Sequence, residues 1–166
     1  MKGLKSLIAK HYTKEEFAWI MQDWANSVYS LMITTAIFPL YFKTVSSNAG
    51  LSAADSTAFL GYANSIATFA VSIMAPVLGA LADYKGYRNP MFTWSTLLGV
   101  FSVIGMMFAE TDQWILLLAL YTLSAIGYSA SNIFYDSSIM DVTTYDRMDR
   151  ISAAGYGYGY IGSVFP

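Results

Sequence analysis

Long runs without a charged side chain divide this sequence. Residues 24–42, 56–82, 89–109 and 113–135 carry no charge, which gives runs of 19, 27, 21 and 23 residues. A helix of about 20 mainly apolar residues crosses the hydrocarbon core of a membrane. The pattern therefore predicts four membrane-spanning helices. A fifth uncharged run of 16 residues follows Arg150 and predicts the start of another span.

The runs are helices rather than strands, because a membrane strand alternates in polarity over only about ten residues. We expect helices at about residues 17–43, 55–82, 89–109, 113–136 and 151–166, after an N-terminal segment of residues 1–16. The fold class is all-α, a polytopic membrane helix bundle. The fifth run reaches Pro166 without a flanking charge or polar tail, so we expect the natural chain to continue.

The composition excludes several classes of protein. Hydrophobic residues make up 55% of the chain and charged residues 12%, against about 25% charged in soluble domains. A net charge of -2 does not indicate a nucleic-acid partner. With no cysteine and one histidine, neither a zinc site nor any cofactor is expected. The lipid bilayer is the first partner that the composition predicts.

The basic residues predict the orientation of the chain. Eight of the nine lie in the N-terminal segment or in the second and fourth connections: Lys2, Lys5, Lys10, Lys14, Lys85, Arg88, Arg147 and Arg150. The first connection has only Lys43. Since cytoplasmic loops are enriched in Lys and Arg, the N-terminus and the even-numbered connections are predicted to be cytoplasmic. The fourth connection, residues 137–150, is predicted to be either a segment along the cytoplasmic surface or a solvated loop.

Two predicted spans carry a stripe of polar residues on one face. The stripes include Asp23, Asn26, Ser30 and Thr34 in the first span, and Tyr121, Tyr128 and Asn132 in the fourth. Polar groups in lipid face the bundle interior or a water-filled cavity. The stripes predict either the lining of a solute pathway or hydrogen bonds between helices. Asp23 is a candidate for coupling to a proton or cation, or it reaches interfacial water.

Small residues predict close helix packing at two places. In the second span they form one face: Gly61, Ser65, Thr68, Ser72, Ala75 and Gly79. In the fifth span, glycines at positions 155, 157, 159 and 162 alternate with tyrosines. Small side chains let the backbones of neighbouring helices approach each other.

The second connection contains a recognisable motif. Residues 79–90 read GALADYKGYRNP. This resembles the G-x-L-A-D-x-x-G-x-R signature of the major facilitator superfamily, and the matching positions are Gly79, Leu81, Asp83, Gly86 and Arg88. Local chemistry is consistent with the match, because a glycine permits close approach or a turn, and a carboxylate and a guanidinium form charge-assisted hydrogen bonds. Gly86 is predicted to turn the chain, and Pro90 to occupy the first turn of the third helix.

Further stretches narrow the resemblance to one branch of the superfamily. Residues 23–27, 134–136, 149–152 and 159–162 are similar to the branch that includes vacuolar amino-acid effluxers and many bacterial members. The resemblance implies about twelve helices in two halves, with a small solute bound near the midplane between them. It also implies that the motif at residues 79–90 latches the cytoplasmic side. The C-terminal half would then be a partner that is missing from this chain. The membrane is expected to be a bacterial plasma membrane rather than a vacuolar one.

Two alternatives come from other classes of protein. An intramembrane aspartyl protease requires two facing carboxylates at depth, but Asp83 and Asp136 lie at predicted membrane edges, so no enzyme is expected. A complete small four-helix membrane protein with an assembly or regulatory role accounts for the length but not for the fifth run.

Overall fold

The structure, a computed structural model, describes residues 11–110 and 112–164. Three parts of the predictions lie outside these residues: most of the N-terminal segment with Lys2, Lys5 and Lys10, position 111 of the third connection, and the last two residues of the fifth helix.

Five helices make up the described chain. They are α1 (Lys14–Asn48), α2 (Ala53–Ala82), α3 (Lys85–Met106), α4 (Trp114–Val142) and α5 (Tyr145–Val164). Within α1, two α-helical parts, Lys14–Tyr29 and Phe38–Asn48, flank a π-helical segment, Ser30–Ile37. The described residues contain no strand, which confirms the all-α fold class.

The helices extend beyond most of the uncharged runs that predict them. The largest difference is at residues 137–150, where the expected surface segment or loop is helical except for Thr143 and Thr144. Charge limits the part of a helix that lies in lipid, whereas capping groups decide where the helix ends. At the start of α1, for example, the Thr13 hydroxyl accepts a hydrogen bond from the Glu16 amide at 3.1 Å.

Three of the described helices are long and apolar enough to cross a membrane, namely α1, α2 and α4. The other two begin with charged residues, Lys85 and Arg88 in α3 and Asp146, Arg147, Asp149 and Arg150 in α5. Charges in the first turns shorten the apolar part of each helix. The described chain is thus a bundle of membrane helices, as predicted.

The π-helical segment of α1 lies directly before a proline. Pro39 has no backbone N–H, and its ring would clash with the carbonyl of Thr35 in an ideal α-helix. Widening the preceding turns from α to π geometry moves that carbonyl away from the ring. Such segments are uncommon and often occur at functional sites. The segment contains Ser30 and Thr34, two residues of the predicted polar stripe.

Contacts divide the chain into two compact units. The first unit contains the described residues up to Ile33 together with those from Ser138 onward, and the second contains Thr34–Ser137. In the second unit, α3 and α4 form an antiparallel hairpin. A Cβ built on Gly127 would lie 2.7 Å from the Gly99 backbone nitrogen and 2.8 Å from the Ser95 carbonyl oxygen. The two backbones therefore touch at this crossing.

An aromatic cluster joins three helices of the second unit. The Tyr121 ring stacks on Phe38 with a centroid distance of 4.0 Å, and the Tyr121 hydroxyl donates a hydrogen bond to Asn64 Oδ1 at 2.8 Å. Nearer the start of both α2 and α4, the Phe59 ring lies 4.8 Å from the ring of Trp114. The contacts advance in the same direction along both helices, so α2 and α4 run parallel, as alternate spans must.

The first connection is a short polar turn. Gly50 has a φ of 85°, a backbone conformation that favours glycine. Ser52 then caps α2 by accepting a hydrogen bond from the Asp55 amide at 3.1 Å. The hydroxyls of Ser46 and Ser56 hydrogen-bond across the turn. This pair ties the end of α1 to the start of α2.

In the first unit, the N-terminal part of α1 packs against α5. A Cβ built on Gly155 would lie 2.9 Å from the Trp19 ring, and one on Gly162 would lie 2.8 Å from the Trp24 ring. Open space surrounds the equivalent position of Gly157. The predicted close packing of the fifth helix is confirmed for three of its four glycines, those at 155, 159 and 162. The two helices run parallel.

Candidate functional site

The motif between α2 and α3 forms a tight turn. Asp83 is the C-terminal capping residue of α2 and its side chain is exposed. Tyr84 adopts an extended conformation, with φ -89° and ψ 111°, and α3 begins directly after it. The Arg88 side chain is buried, and its Nε donates a hydrogen bond to the Ala82 carbonyl oxygen at 2.7 Å. Arg88 therefore satisfies one of the last carbonyls of α2, which have no partner within that helix.

Two local predictions at this turn are wrong. Gly86 does not turn the chain, because it lies in the first turn of α3, and the turn itself is made at Asp83 and Tyr84. Pro90 lies in the second turn of α3 rather than in the first. The reason for both differences is that α3 begins earlier, at Lys85. This early start places Arg88 on the helical turn from which its side chain reaches back to α2.

Gly79 and Leu81 belong to the last turns of α2. Nothing lies within 4 Å of a Cβ built on Gly79, and Leu81 is partly exposed. The small-residue face of α2 that includes Gly79 is mostly exposed, and the helix instead buries Ala63 and Ala67. In the described residues no helix packs on this face. Close packing there stays a prediction for a partner beyond them.

Asp23, the candidate coupling residue, faces α5. Its Oδ2 lies 2.9 Å from the position of a Cβ built on Gly159 and 3.6 Å from one built on Gly155. The Ser27 Oγ also lies 2.9 Å from the Gly159 position. A carboxylate and a hydroxyl one helical turn apart thus contact the glycine face of α5. Any side chain at position 159 would displace one or both of them.

The other candidate pathway residues are partly buried. Asn26 and Ser30 lie in the first unit, and Thr34, Tyr128 and Asn132 lie in the second. Asn26 Oδ1 accepts a hydrogen bond from Gln22 Nε2 at 3.4 Å. None of the five is without an interaction partner. Their use in a pathway stays a prediction.

Hydrogen bonding between helices, the alternative for the polar stripes, is seen next to the α4 candidates. Tyr121, on the same face of α4, is 1% exposed and bonds to Asn64 of α2. Its role in the second unit is therefore packing. The described residues contain no group of three or more His, Cys, Asp or Glu side chains that could hold a metal ion.

A buried carboxylate at the start of α1 was not singled out from the sequence. The Glu16 side chain is 2% exposed. Its Oε1 accepts a hydrogen bond from the Thr143 hydroxyl at 2.6 Å, and its Oε2 accepts one from Arg147 Nη2 at 2.8 Å. The Thr13 amide also donates to Oε2, at 2.8 Å, which completes a capping box. The pattern Thr13-x-x-Glu16 is a local signal for the cap, but nothing local indicates its partners near α5.

The surroundings of Glu16, which precedes the uncharged part of α1, change its acidity. Burial opposes ionisation, but hydrogen bonds from Thr143 and the Thr13 backbone and the charges of Arg147 and Arg150 outweigh it. Together they lower the pKa of Glu16 below 4.5. A carboxyl group whose pKa is lower in the folded state stabilises that state above its unfolded pKa. Its contribution is lost as the pH falls through the folded value.

We therefore expect the full-length protein to lose part of its stability below pH 4.5 through protonation of Glu16. The thermal unfolding midpoint of detergent-purified protein, measured at neutral pH and below pH 4.5, would show this loss. Glu16→Gln removes the titrating group, so the midpoint of this variant should fall less with acidification. An equal fall in both proteins would show that Glu16 does not contribute.

Comparison with known proteins agrees with this architecture. The family described as "Vacuole effluxer Atg22 like" matches residues 52–142. The uncharacterized MFS-type transporter YxiO of Bacillus subtilis (strain 168) is 47% identical over 157 residues, which cover 95% of this chain and 37% of that protein. The chain thus spans little more than a third of the length of this relative. No solved structure matches this chain. The chain belongs to the Atg22-like vacuole effluxer family, a branch of the major facilitator superfamily.

Proposed function

We propose that this chain is the N-terminal part of a secondary transporter that moves a small solute by alternating access between two halves. The observation that carries the proposal is the 47% identity, over nearly the whole chain, to an MFS-type transporter. That relative extends well beyond the matched region, so a second half is expected in the full-length protein. Solute and second half are the partners that this function requires.

Amino acids are the proposed solute class, from the branch that the sequence resembles. The proposed membrane is the bacterial plasma membrane, and the relative from Bacillus subtilis supports this choice. The alternative, a small four-helix assembly or regulatory protein, is not favoured, because the matched region covers 95% of this chain but only 37% of a much longer relative. No catalytic role is proposed.

The candidate pathway residues divide into two proposed roles. Asp23, which contacts the glycine face of α5, is the proposed site for a coupling proton or cation. The polar residues around the π-helical segment and on α4 are proposed to line the pathway, namely Asn26, Ser30, Thr34, Tyr128 and Asn132. Segments of π-helix are frequent at functional sites, which suits a place where solute or water passes.

The motif residues are proposed to latch the cytoplasmic side. Asp83 is exposed at the end of α2, and Arg88 is buried directly beneath the same turn. Gly79, Leu81 and Gly86 leave the surface around this turn open within the described residues. A second half could therefore reach Asp83 while Arg88 holds the turn in shape.

Reciprocal labelling of two cysteines tests alternating access without knowledge of the solute. In full-length protein freed of other cysteines, Thr34→Cys and Asn132→Cys are combined. A bulky membrane-impermeant maleimide that reacts at position 34 from outside should slow labelling of position 132 from the cytoplasm severalfold. The reason is that both positions cannot be open at once in an alternating-access transporter.

Two exposed positions serve as controls for this experiment. Ser47, near the end of α1, and Asn89, in α3, are both exposed. With a cytoplasmic N-terminus, Ser47→Cys should react only from outside and Asn89→Cys only from the cytoplasm, and neither should affect the other. Unchanged labelling of position 132 after reaction at position 34 would contradict alternating access.

A further inference from the structure

Glu16 and Arg147 form an ion pair that neither the motif nor the proposed pathway uses. The pair joins the start of α1 to the first turn of α5, with an Nη2 to Oε2 distance of 2.8 Å. Thr143, in the two-residue connection before α5, donates to the other Glu16 oxygen at 2.6 Å. Both oxygens of this nearly inaccessible carboxylate therefore accept hydrogen bonds from residues that precede or begin α5, and one of them also accepts from the capping residue of α1.

The same end of α5 also holds the residues that precede α1. Arg147 Nη2 donates a hydrogen bond to the His11 carbonyl oxygen at 2.9 Å. The Arg150 guanidinium lies over the Tyr12 ring, 5.8 Å from its centroid. Two arginines about one helical turn apart thus contact the chain on the N-terminal side of Glu16. These contacts fix where α5 begins relative to α1.

The glycine face further along α5 is only partly preserved when the helix slides. Gly155 and Gly159 are four residues apart, so they lie one above the other on the same face. A slide of α5 by one helical turn, about 5.4 Å, would place one glycine where the other had been. Asp23 would then meet one glycine and one side chain, that of Ile151 or Ser163, although one-turn slides are known between packed elements. The glycine packing therefore favours the observed register, and the contacts at the start of α5 add to that preference.

The ion pair adds to this selection, because a wrong alignment leaves the Glu16 carboxylate, whose side chain is 2% exposed, without its partner, whereas the Arg147 side chain is 36% exposed. We propose that Glu16 and Arg147 are positioning residues, which pin α5 on α1 and so hold the Asp23 carboxylate against Gly155 and Gly159. The inference rests on the proposed function only in that Asp23 then serves transport. The placement of Asp23 itself does not depend on any solute.

Carbodiimide labelling of Asp23 in the full-length protein tests this proposal directly. The hydrophobic reagent dicyclohexylcarbodiimide reacts with carboxyl groups in membrane proteins, and peptide mass spectrometry locates the adduct. We expect Glu16→Gln and Arg147→Gln to increase the rate of adduct formation at Asp23 about fivefold or more, because Asp23 leaves its glycine contacts more often. Arg147→Lys keeps the charge and should restore slow labelling.

Glu15→Gln is the matched control, since Glu15 is the neighbouring acid and is exposed. It should leave the Asp23 labelling rate unchanged. Thr143→Val, which removes one hydrogen bond and no charge, should produce a smaller increase and covers the case in which the charge variants fail to fold. Labelling at the Glu15→Gln rate in folded Glu16→Gln or Thr143→Val protein would overturn the proposal.

The labelling is measured without solute, so it is independent of the proposed transport. Faster labelling with an unchanged transport rate would retain the positioning role and remove Asp23 from the transport mechanism. A slower transport rate with unchanged labelling would contradict the positioning role while leaving the transporter assignment intact.

Discussion

Replacing Gly127 by alanine is expected to disrupt the α3–α4 hairpin. The new methyl group would lie 2.7 Å from the Gly99 nitrogen, 2.8 Å from the Ser95 carbonyl oxygen and 3.1 Å from the Gly99 Cα. All three are backbone atoms, so no side-chain rotation relieves the overlap and the helices must separate. Overpacking of a well-packed site typically costs about 1–3 kcal/mol, and we expect the upper part of that range.

Two other glycines provide controls for this substitution. A Cβ on Gly99 would have its nearest contact at 3.6 Å, from the Ser124 carbonyl oxygen, and a Cβ on Gly61 would have none within 4 Å. The thermal midpoint and the monodisperse fraction in size-exclusion chromatography should therefore fall strongly for Gly127→Ala but not for Gly99→Ala, whose methyl group would make ordinary van der Waals contacts, or for Gly61→Ala. Equal behaviour of Gly127→Ala and Gly61→Ala would show that the helices do not touch at this crossing.

Asp83→Asn and Arg88→Ala are expected to impair transport while the protein stays in the membrane. The exposed carboxylate and the buried guanidinium lie at one turn, which is predicted to be cytoplasmic. If contacts there form and break in each cycle, removing one charge shifts the equilibrium between the two facing states. A bias of about 1–3 kcal/mol corresponds to a change of about 5- to 150-fold in that equilibrium.

The competing explanation is that these residues only stabilise the turn. The hydrogen bond from Arg88 to the Ala82 carbonyl supports this competing explanation for Arg88, so Asp83→Asn is the more decisive variant. Initial transport per molecule of inserted protein separates the two explanations, with Asn89→Ala as the control at an exposed neighbouring position. A normalised rate for Asp83→Asn equal to that for Asn89→Ala would remove Asp83 from the latch.

The number and order of the helices could be predicted from the sequence, because uncharged runs are a local consequence of the membrane. The ends of the helices could not. Val142 and Tyr145 are separated by only two residues although the surrounding segment carries several charges. The polar and charged residues of this segment are compatible both with a loop and with the end of a helix, so composition does not decide between these conformations. Pro39 could have indicated irregular geometry, but not a π-helical segment of eight residues.

Contacts between helices were predictable only in kind. The glycines of α5 indicate close packing, but only the register shows that positions 155, 159 and 162 face α1 while Gly157 does not. The α2 face, with equally small residues, is mostly exposed in the described chain. Glu16 is the extreme case, because Arg147 lies 131 residues away. Nothing short of the three-dimensional register brings these two residues together.

Solute counterflow is the measurement that tests the central proposal most directly. Liposomes containing the full-length protein are loaded with an unlabelled amino-acid mixture and diluted into a trace of the labelled mixture. A transporter that alternates between two facing states exchanges inner for outer solute, so at least one labelled amino acid should accumulate transiently above its equilibrium level. Accumulation no faster than in protein-free liposomes, for every amino acid in the mixture, would contradict amino-acid transport by this protein.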